Sequence, residues 1–456
     1  MNFKLDEKRV IITLIVVVCI LRFITIFISM DELIFDEVSF LGIARGLSEG
    51  KGYGYVAGKL IDTWRPPMLP FILSLFVNLP IVEIIGRCIS FVIGLLAILA
   101  IYITGKRLFN EQIGLYASLI LASTPLHWFY STKILTEVFT VFFSVLFVYF
   151  LFRTKENSKN VIYLSIVLAL AFLAKYTSLI FIIFAFFILI WKKPRIFISK
   201  YTHIAIVLFF LILIPWFILN MYTFSTPFGS AESALVRAQS REGISSINFN
   251  FYYFYFGLPV VTSIYGIFFV LSLYYLWKEK NEKYIIIFLF VIFIMLSLSV
   301  LDVKRERYLL PALPGIVFLE CYALMKIRPI VKNYFLLIIS IFVILNIILT
   351  FYGFYNHPHI DRFHGMRLAM DFMVKNCSNK DIYGTSYPYI WWYLKKPTYR
   401  LEDLGEKGNY CILIDGYGLS DRDRARLKSL VPLKAKKAFE YGEIEIFMDS
   451  EKVQYK

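Results

Sequence analysis

The informative charged side chains lie away from the basic clusters that punctuate this chain: Asp36, Glu37, Arg65, Lys133, Glu137, Lys175, Lys304, Arg305, Glu306 and Arg307. Their types suit acid–base chemistry beside a held anion. A carboxylate can take the proton of an acceptor hydroxyl, and arginine grips phosphate oxygens in a two-pronged fork. Each occurs in a distinctive setting. Asp36-Glu37 follows the first apolar run. Trp64-Arg65-Pro66-Pro67 loses two backbone donors and fixes the chain direction into a helix. Leu135-Thr136-Glu137 opens a long apolar run, and Ala174-Lys175-Tyr176-Thr177 interrupts another. Lys304-Arg305-Glu306-Arg307-Tyr308 precedes Pro311 and Pro314, which bend a helix and turn backbone groups toward a cavity. Plainer readings exist for most: solvated interfacial acids, a rigid turn, a carboxylate favoured by a helix dipole, a snorkelling lysine. The cluster at 304–307 resists such readings, because its cations run against the charge trend of the loops.

His357, His359 and His364 lie near Asp361, but their spacing matches no tight metal template and a solvated linker explains them better. His127 and His203 stand alone and read as structural. Cys19, Cys88 and Cys321 fall in apolar runs, where cysteine acts as a small hydrophobe. Cys377 and Cys411 lie in a polar tail; they can pair there if it is extracytoplasmic, and unpaired thiols fit the sequence equally. Asn376-Cys377-Ser378 matches the N-glycosylation triplet.

The elements that position these residues are set by lipid. The 456 residues are 59% hydrophobic and 18% aromatic, with a mean hydropathy of +0.67, which a water-soluble chain cannot bury. The net charge of +15 resides in short clusters between apolar runs, without a basic groove of interleaved aromatics, so nucleic-acid binding is excluded. The first apolar run is too long for a signal peptide and no small-residue cleavage site follows it. The pattern predicts about 11 spans, at roughly 10–30, 84–104, 112–130, 134–152, 160–174, 177–191, 202–221, 253–277, 284–301, 309–325 and 333–353. The short fifth and sixth read as a re-entrant hairpin. Basic loops mark the cytoplasmic side, so the N-terminus is expected there and residues 354–456 outside an integral plasma membrane or its equivalent.

Three outer segments are larger than turns. Residues 31–83 carry two apolar-patterned stretches, 35–47 and 67–79, suited to helices in the membrane interface, joined by a glycine-rich connector at 50–55. Residues 222–252 are polar and suit a mobile loop over a site. In the tail, helices are expected at 361–375, 389–394 and 420–430 with Ser420 as cap, strands at 381–387 and 410–415, and a hairpin at 438–447. The fold class is therefore an α-helical polytopic membrane protein, residues 1–353, with a small extracytoplasmic α/β domain, residues 354–456.

In these residues the chain resembles the membrane-embedded GT-C glycosyltransferases, in the group of the protein O-mannosyltransferases and the aminoarabinose transferases that modify lipid A. The resemblance runs through Asp36-Glu37, Arg65-Pro66-Pro67-Met68, Arg87 with Ser90, Pro125 to Glu137, and Lys304 to Pro314, in order, over about residues 8–325. It implies an inverting transfer from a polyprenyl-phosphate monosaccharide to a lipid, glycan or protein acceptor, with Asp36 as base or orienting the acceptor. Two departures leave the acceptor open: the mannosyltransferases usually carry histidine where Arg65 stands, and this tail is unlike their β-rich domain.

The residue chemistry suits the same reaction. A phosphate leaving group needs its charge held, a task for Arg65, Lys175, Lys304, Arg305 and Arg307 with Tyr308 beside them. The sugar develops oxocarbenium character. Asp36 would take the acceptor proton, with Glu37 or Glu137 orienting the acceptor. No cofactor is required; a divalent cation is optional, with Asp36, Glu37 and Glu137 as its oxygen ligands. The alternative is a secondary transporter of a small anionic or sugar-linked substrate, which would place charges near the bilayer midplane and show two related halves. The sequence displays neither.

Overall fold

The computed structural model describes residues 5–28, 33–238, 250–301, 304–355, 360–404, 409–417 and 419–449. In chain order the elements begin with α1 (Leu5–Ile28), α2 (Phe35–Ser48), β1 (Tyr55–Val56), β2 (Lys59–Leu60), α3 (Met68–Ser74), α4 (Val82–Leu108), α5 (Glu111–Ser123), α6 (Pro125–Ser131) and α7 (Glu137–Glu156). Next come α8 (Asn160–Ala174), α9 (Leu179–Lys192), α10 (Lys200–Phe224), α11 (Gly229–Ala238), α12 (Leu258–Thr262), α13 (Gly266–Glu279), α14 (Glu282–Ser299), α15 (Leu313–Val331) and α16 (Phe335–Tyr355). The tail holds α17 (Ile360–Asn376), β3 (Asp381–Gly384), α18 (Tyr387–Leu394), β4 (Thr398–Tyr399), β5 (Tyr410–Asp415), α19 (Asp421–Ser429), β6 (Ala435–Tyr441) and β7 (Ile444–Asp449). These fall into two compact units: Met1–Phe27, Trp64–Leu69 and Glu83–Phe354 form the first; Ile28–Thr63, Pro70–Val82 and Tyr355–Lys456 form the second.

The first unit is a helical bundle. Among the described residues eight helices are long and apolar enough to cross a membrane. The other three predicted spans take shorter forms. The 112–130 stretch breaks into α5 and α6, because Thr124 before Pro125 is pushed into an extended conformation (ψ 119°). The 160–174 and 177–191 stretches are α8 and α9, 15 and 14 residues long, joined through a 3-10 turn at Tyr176–Ser178. Asparagine caps set several starts: Asn110 Oδ1 accepts from Ile113 N at 2.9 Å and Asn281 Oδ1 from Lys283 N at 3.1 Å. The polar stretch expected as a loop after residue 222 is partly helical. Ser225 ends α10 in the left-handed region (φ 61°), and Asn220 Oδ1 accepts from Ser230 N at 2.8 Å to start α11; residues 239–249 lie outside the described residues.

The second unit contains a mixed five-stranded sheet in the order β4-β3-β5-β7-β6. The first three strands run parallel to one another, β7 runs antiparallel to them, and β6 pairs antiparallel with β7 and so returns to the direction of the first three. Every residue of β5 is buried, as expected for a central strand covered on both faces, and Leu401, Tyr410, Ile412 and Ile414 form a core. The predicted strand at 381–387 stops early: Ser386 takes a positive φ of 55°, and Pro388 then stands in the first turn of α18. Ser420 caps α19, accepting from Asp423 N at 3.1 Å. Cys377 and Cys411 are joined in a disulfide that ties the end of α17 to β5. The stretch 35–47 forms α2, whereas only seven residues of 67–79 form a helix, α3. The connector after α2 turns through Gly50, Gly52 and Gly54, all at positive φ, into the β1–β2 hairpin. Arg45 of α2 donates through Nη1 to the carbonyls of Trp391 (2.8 Å) and Trp392 (2.7 Å) in α18, with its guanidinium 4.1 Å from the Trp392 ring centre.

Candidate active site

Helices α7 and α8 run antiparallel, which brings the start of one beside the end of the other. Glu137 is the first residue of α7 and Lys175 the residue after α8, so each sits where the helix dipole favours its charge. Lys175 Nζ donates to Glu137 Oε1 at 3.1 Å. Arg307, arriving from the segment after α14, brings its Nε to 3.6 Å from the same oxygen. The Glu137 side chain is 5% exposed, Lys175 12% and Arg307 23%. Tyr308 underlies both cations, its ring centre 5.6 Å from Lys175 Nζ and 5.8 Å from the Arg307 guanidinium carbon. A buried ion pair roughly breaks even against its desolvation, so folding stability alone gives no reason to assemble two cations on one buried carboxylate.

The backbone around this trio is held from several sides. Glu306–Ala312 forms a 3-10 turn leading into α15, and Ser144 of α7 donates to the Pro311 carbonyl at 2.6 Å, serving a carbonyl at the join between the turn and the helix. Tyr176 donates its hydroxyl to the Arg65 carbonyl at 3.1 Å. That bond links the Trp64-Arg65-Pro66-Pro67 turn to the residue next to Lys175. Arg65 itself is 3% exposed, with its guanidinium carbon 4.5 Å from the Trp64 ring centre. Arg87 and Ser90 of α4 are fully buried.

The remaining cations of the 304–307 cluster are placed differently. Lys304 folds back on the end of α14, donating to the Ser299 carbonyl at 2.7 Å and to that of Leu301, which satisfies carbonyls a helix leaves open. Arg305 is exposed. Glu306 accepts from the Tyr252 hydroxyl at 2.5 Å. Lys133 is buried, 5.7 Å from the Phe129 ring centre.

Asp36 and Glu37 belong to the second unit, in the first turn of α2. Glu37 is fully buried, and its Oε2 accepts from Ile34 N at 2.9 Å, closing the start of its own helix. Asp36 is half-buried. Among the described residues no group of three or more His, Cys, Asp or Glu is assembled for a metal. His357 and His359 lie outside the described residues, and His364 meets Tyr441 edge-on.

Several buried charges lie outside the sequence motifs singled out above, among them Glu7, Arg22, Asp62 and Glu320. Arg22 of α1 is 1% exposed and donates to four neutral acceptors. The signal was there: an arginine inside an apolar span is costly and needs a reason.

Beside the Glu137 trio, α9, α11 and the end of α14 enclose an almost wholly apolar groove of about 430 Å³, lined by residues such as Phe172, Tyr176, Ile180, Ile183, Leu235 and Leu301.

Residues 64–219 match the family model of dolichyl-phosphate-mannose-protein mannosyltransferase. No curated protein matches the sequence. Among solved structures, ArnT from Cupriavidus metallidurans bound to undecaprenyl phosphate superposes with a TM-score of 0.65 at 12% identity, covering 95% of this chain and 97% of that one. The archaeal oligosaccharyltransferase AglB from Archaeoglobus fulgidus, in complex with an inhibitory peptide and a dolichol-phosphate, superposes with a TM-score of 0.62 at 11% identity, covering 91% of this chain and 70% of that one. The chain thus has the fold of these membrane enzymes, and the resemblance to the GT-C group fits both the family model and the fold.

Proposed function

We propose that this protein is a membrane glycosyltransferase that takes a sugar from a polyprenyl-phosphate donor on the side of the membrane opposite its basic loops. The observation that carries the reading is the buried Glu137 carboxylate shared by Lys175 and Arg307, cations from two separate elements. Cations gathered in this way can hold the charge that grows on a departing phosphate. Tyr308 beneath both cations and Arg65 on the adjoining turn complete the phosphate-facing set. The apolar groove beside the trio suits an isoprenoid chain, so the donor would keep its tail among the helices while its head group reaches the cations.

The transfer is an inverting displacement at the anomeric carbon, with oxocarbenium character at the sugar. Asp36 takes the acceptor proton, and Glu137 orients the reacting groups and tethers the cations. Lys304 contributes by fixing the end of α14, and so the point from which Arg307 departs. The acceptor is a lipid, glycan or protein.

The test is direct. Purified protein in lipid nanodiscs is given a panel of radiolabelled polyprenyl-phosphate sugars and a membrane extract as acceptor. Label leaving the donor for an acceptor with one or a few sugars supports the reading. A folded preparation that moves label from none of the donors, but carries an anion or sugar across a vesicle membrane, would replace it with transport.

A further inference from the structure

Arg22 sits in α1, inside an apolar span, with no carboxylate among its partners. Its Nη1 donates to the Ala122 carbonyl at 3.1 Å, and Nη2 lies 2.9 Å from His127 Nδ1, the His127 carbonyl and Ser131 Oγ. All four acceptors lie on α5 and α6, on either side of the break at Pro125. His127 Nδ1 lies between Arg22 Nη2 and the Leu121 carbonyl, 3.2 Å away. The break explains the need. Helix interruption at Thr124-Pro125 strips carbonyls such as that of Ala122 of their usual partners, and in lipid such groups must be served from within the protein. A second bond runs parallel: Trp128 Nε1 donates to Thr25 Oγ1 at 2.9 Å, one turn along α1.

We propose that Arg22 is a positioning residue for the transfer site, acting through α6 on Glu137. Ser131, the last residue that Arg22 holds, is six positions before Glu137, and the chain between them has little slack. Leu135 N donates to the Lys133 carbonyl at 2.8 Å within a tight turn. Two glycines of α4 hold this turn closely. A Cβ on Gly94 would come within 2.9 Å of Ser131 Cβ, and one on Gly86 within 2.9 Å of the Ile134 side chain. Releasing Arg22 frees the α5–α6 break, moves Ser131 along α4, and carries Glu137 away from Lys175 and Arg307. The inference rests on the transfer reading above, since it assigns Arg22 a purpose only if Glu137 belongs to the reacting site.

The experiment compares wild type, Arg22→Lys and Arg22→Leu in nanodiscs, by donor kinetics and by amide hydrogen exchange. Lysine keeps the charge but its three protons cannot reach both limbs of the break, so it forms a graded series with leucine. The expected result is a fall in kcat of roughly 10-fold for Arg22→Lys and roughly 100-fold for Arg22→Leu, as for sub-ångström to ångström misplacement of a catalytic group. Donor KM should stay within about twofold. Exchange should quicken in residues 122–137 in the same order, with α14 and α15 unchanged. Faster exchange in 122–137 with unaltered kcat overturns the assignment, as does a change in KM alone or a loosening spread evenly over the bundle. A wild type that transfers no sugar overturns the transfer reading and this assignment together, whereas an active wild type with an unaffected Arg22→Leu overturns this assignment alone.

Discussion

Two carboxylates at opposite ends of the helical bundle each meet two cations, and the likeness ends there. Glu282, at the end carrying the basic loops, lies 2.9 Å from Lys155 and 3.0 Å from Lys192, yet its side chain is 57% exposed. Glu137 has similar company, but 5% exposure. Exposed pairs of the first kind contribute about 0–1 kcal/mol, and water supplies most of what the partners supply. Pairs of the second kind have given up hydration, so each charge depends on the others. Burial, rather than the number of ion pairs, separates these two clusters. A third cluster lies in the second unit, where Glu445, 5% exposed, is 2.7 Å from both Lys428 and Lys437, whose own side chains are 44% and 40% exposed. It is intermediate: a buried anion with solvated cations.

The contrast is broken most severely at Arg307. Arg307→Ala should lower sugar transfer by about a thousandfold, the loss typical when a group aimed at developing charge is removed, while the protein still reaches the membrane folded. Near-normal transfer by this variant would move the site elsewhere. Glu137→Ala comes next. Stranding Lys175 and Arg307 without their shared carboxylate should cost roughly 3–5 kcal/mol of stability, read as a lower thermal midpoint in detergent, and Glu137→Gln should recover part of it.

How much of this was legible beforehand depends on the kind of statement. Lys175 stood out as a charge in a short apolar break, though spacing did not choose its partner, and Ser420 as a cap followed from local chemistry alone. Strand β5 was legible because its run of apolar residues has no helical period. The fate of Lys304 was not: a lysine five residues past Ser299 can reach back to helix carbonyls or forward to a ligand, and spacing does not choose. Nor was the role of Arg22, because its acceptors come from a helix break about a hundred positions away. Strand order in the second unit was hidden for the same reason, since β3 and β5 pair across an intervening helix and strand.

Acid sharpens the comparison at Glu445. Burial alone would raise its carboxyl, but hydrogen bonds from Lys428 and Lys437 outweigh that and hold it below the ordinary value of 4.5. A lowered carboxyl stabilises the fold above its ordinary value and loses that contribution as pH falls through the lowered one. Lys437, raised above 10.5 chiefly by its hydrogen bond to Glu445, acts in the opposite sense, its contribution fading as pH rises through the raised value. The unfolding midpoint of the second unit should therefore drop on acidification below pH 4.5, and Glu445→Gln should flatten that dependence; an unchanged acid limb would show that the two lysines do not carry it. The smallest effect belongs to Glu282→Gln. It should shift stability by less than about 1 kcal/mol, leave transfer unchanged, and lose even that shift in high salt.

The link between Cys377 and Cys411 closes a stretch with a sequence separation of 34, a constraint worth roughly 3–4 kcal/mol against the open chain. Its thiols meet only where an oxidant is at hand. Protein made by cell-free translation in the presence of dithiothreitol should insert its apolar helices normally but leave the sheet-bearing unit prone to digestion by trypsin. Adding oxidised glutathione after synthesis should restore resistance, so the manufacturing route, and not the primary structure alone, will decide which form reaches the bench.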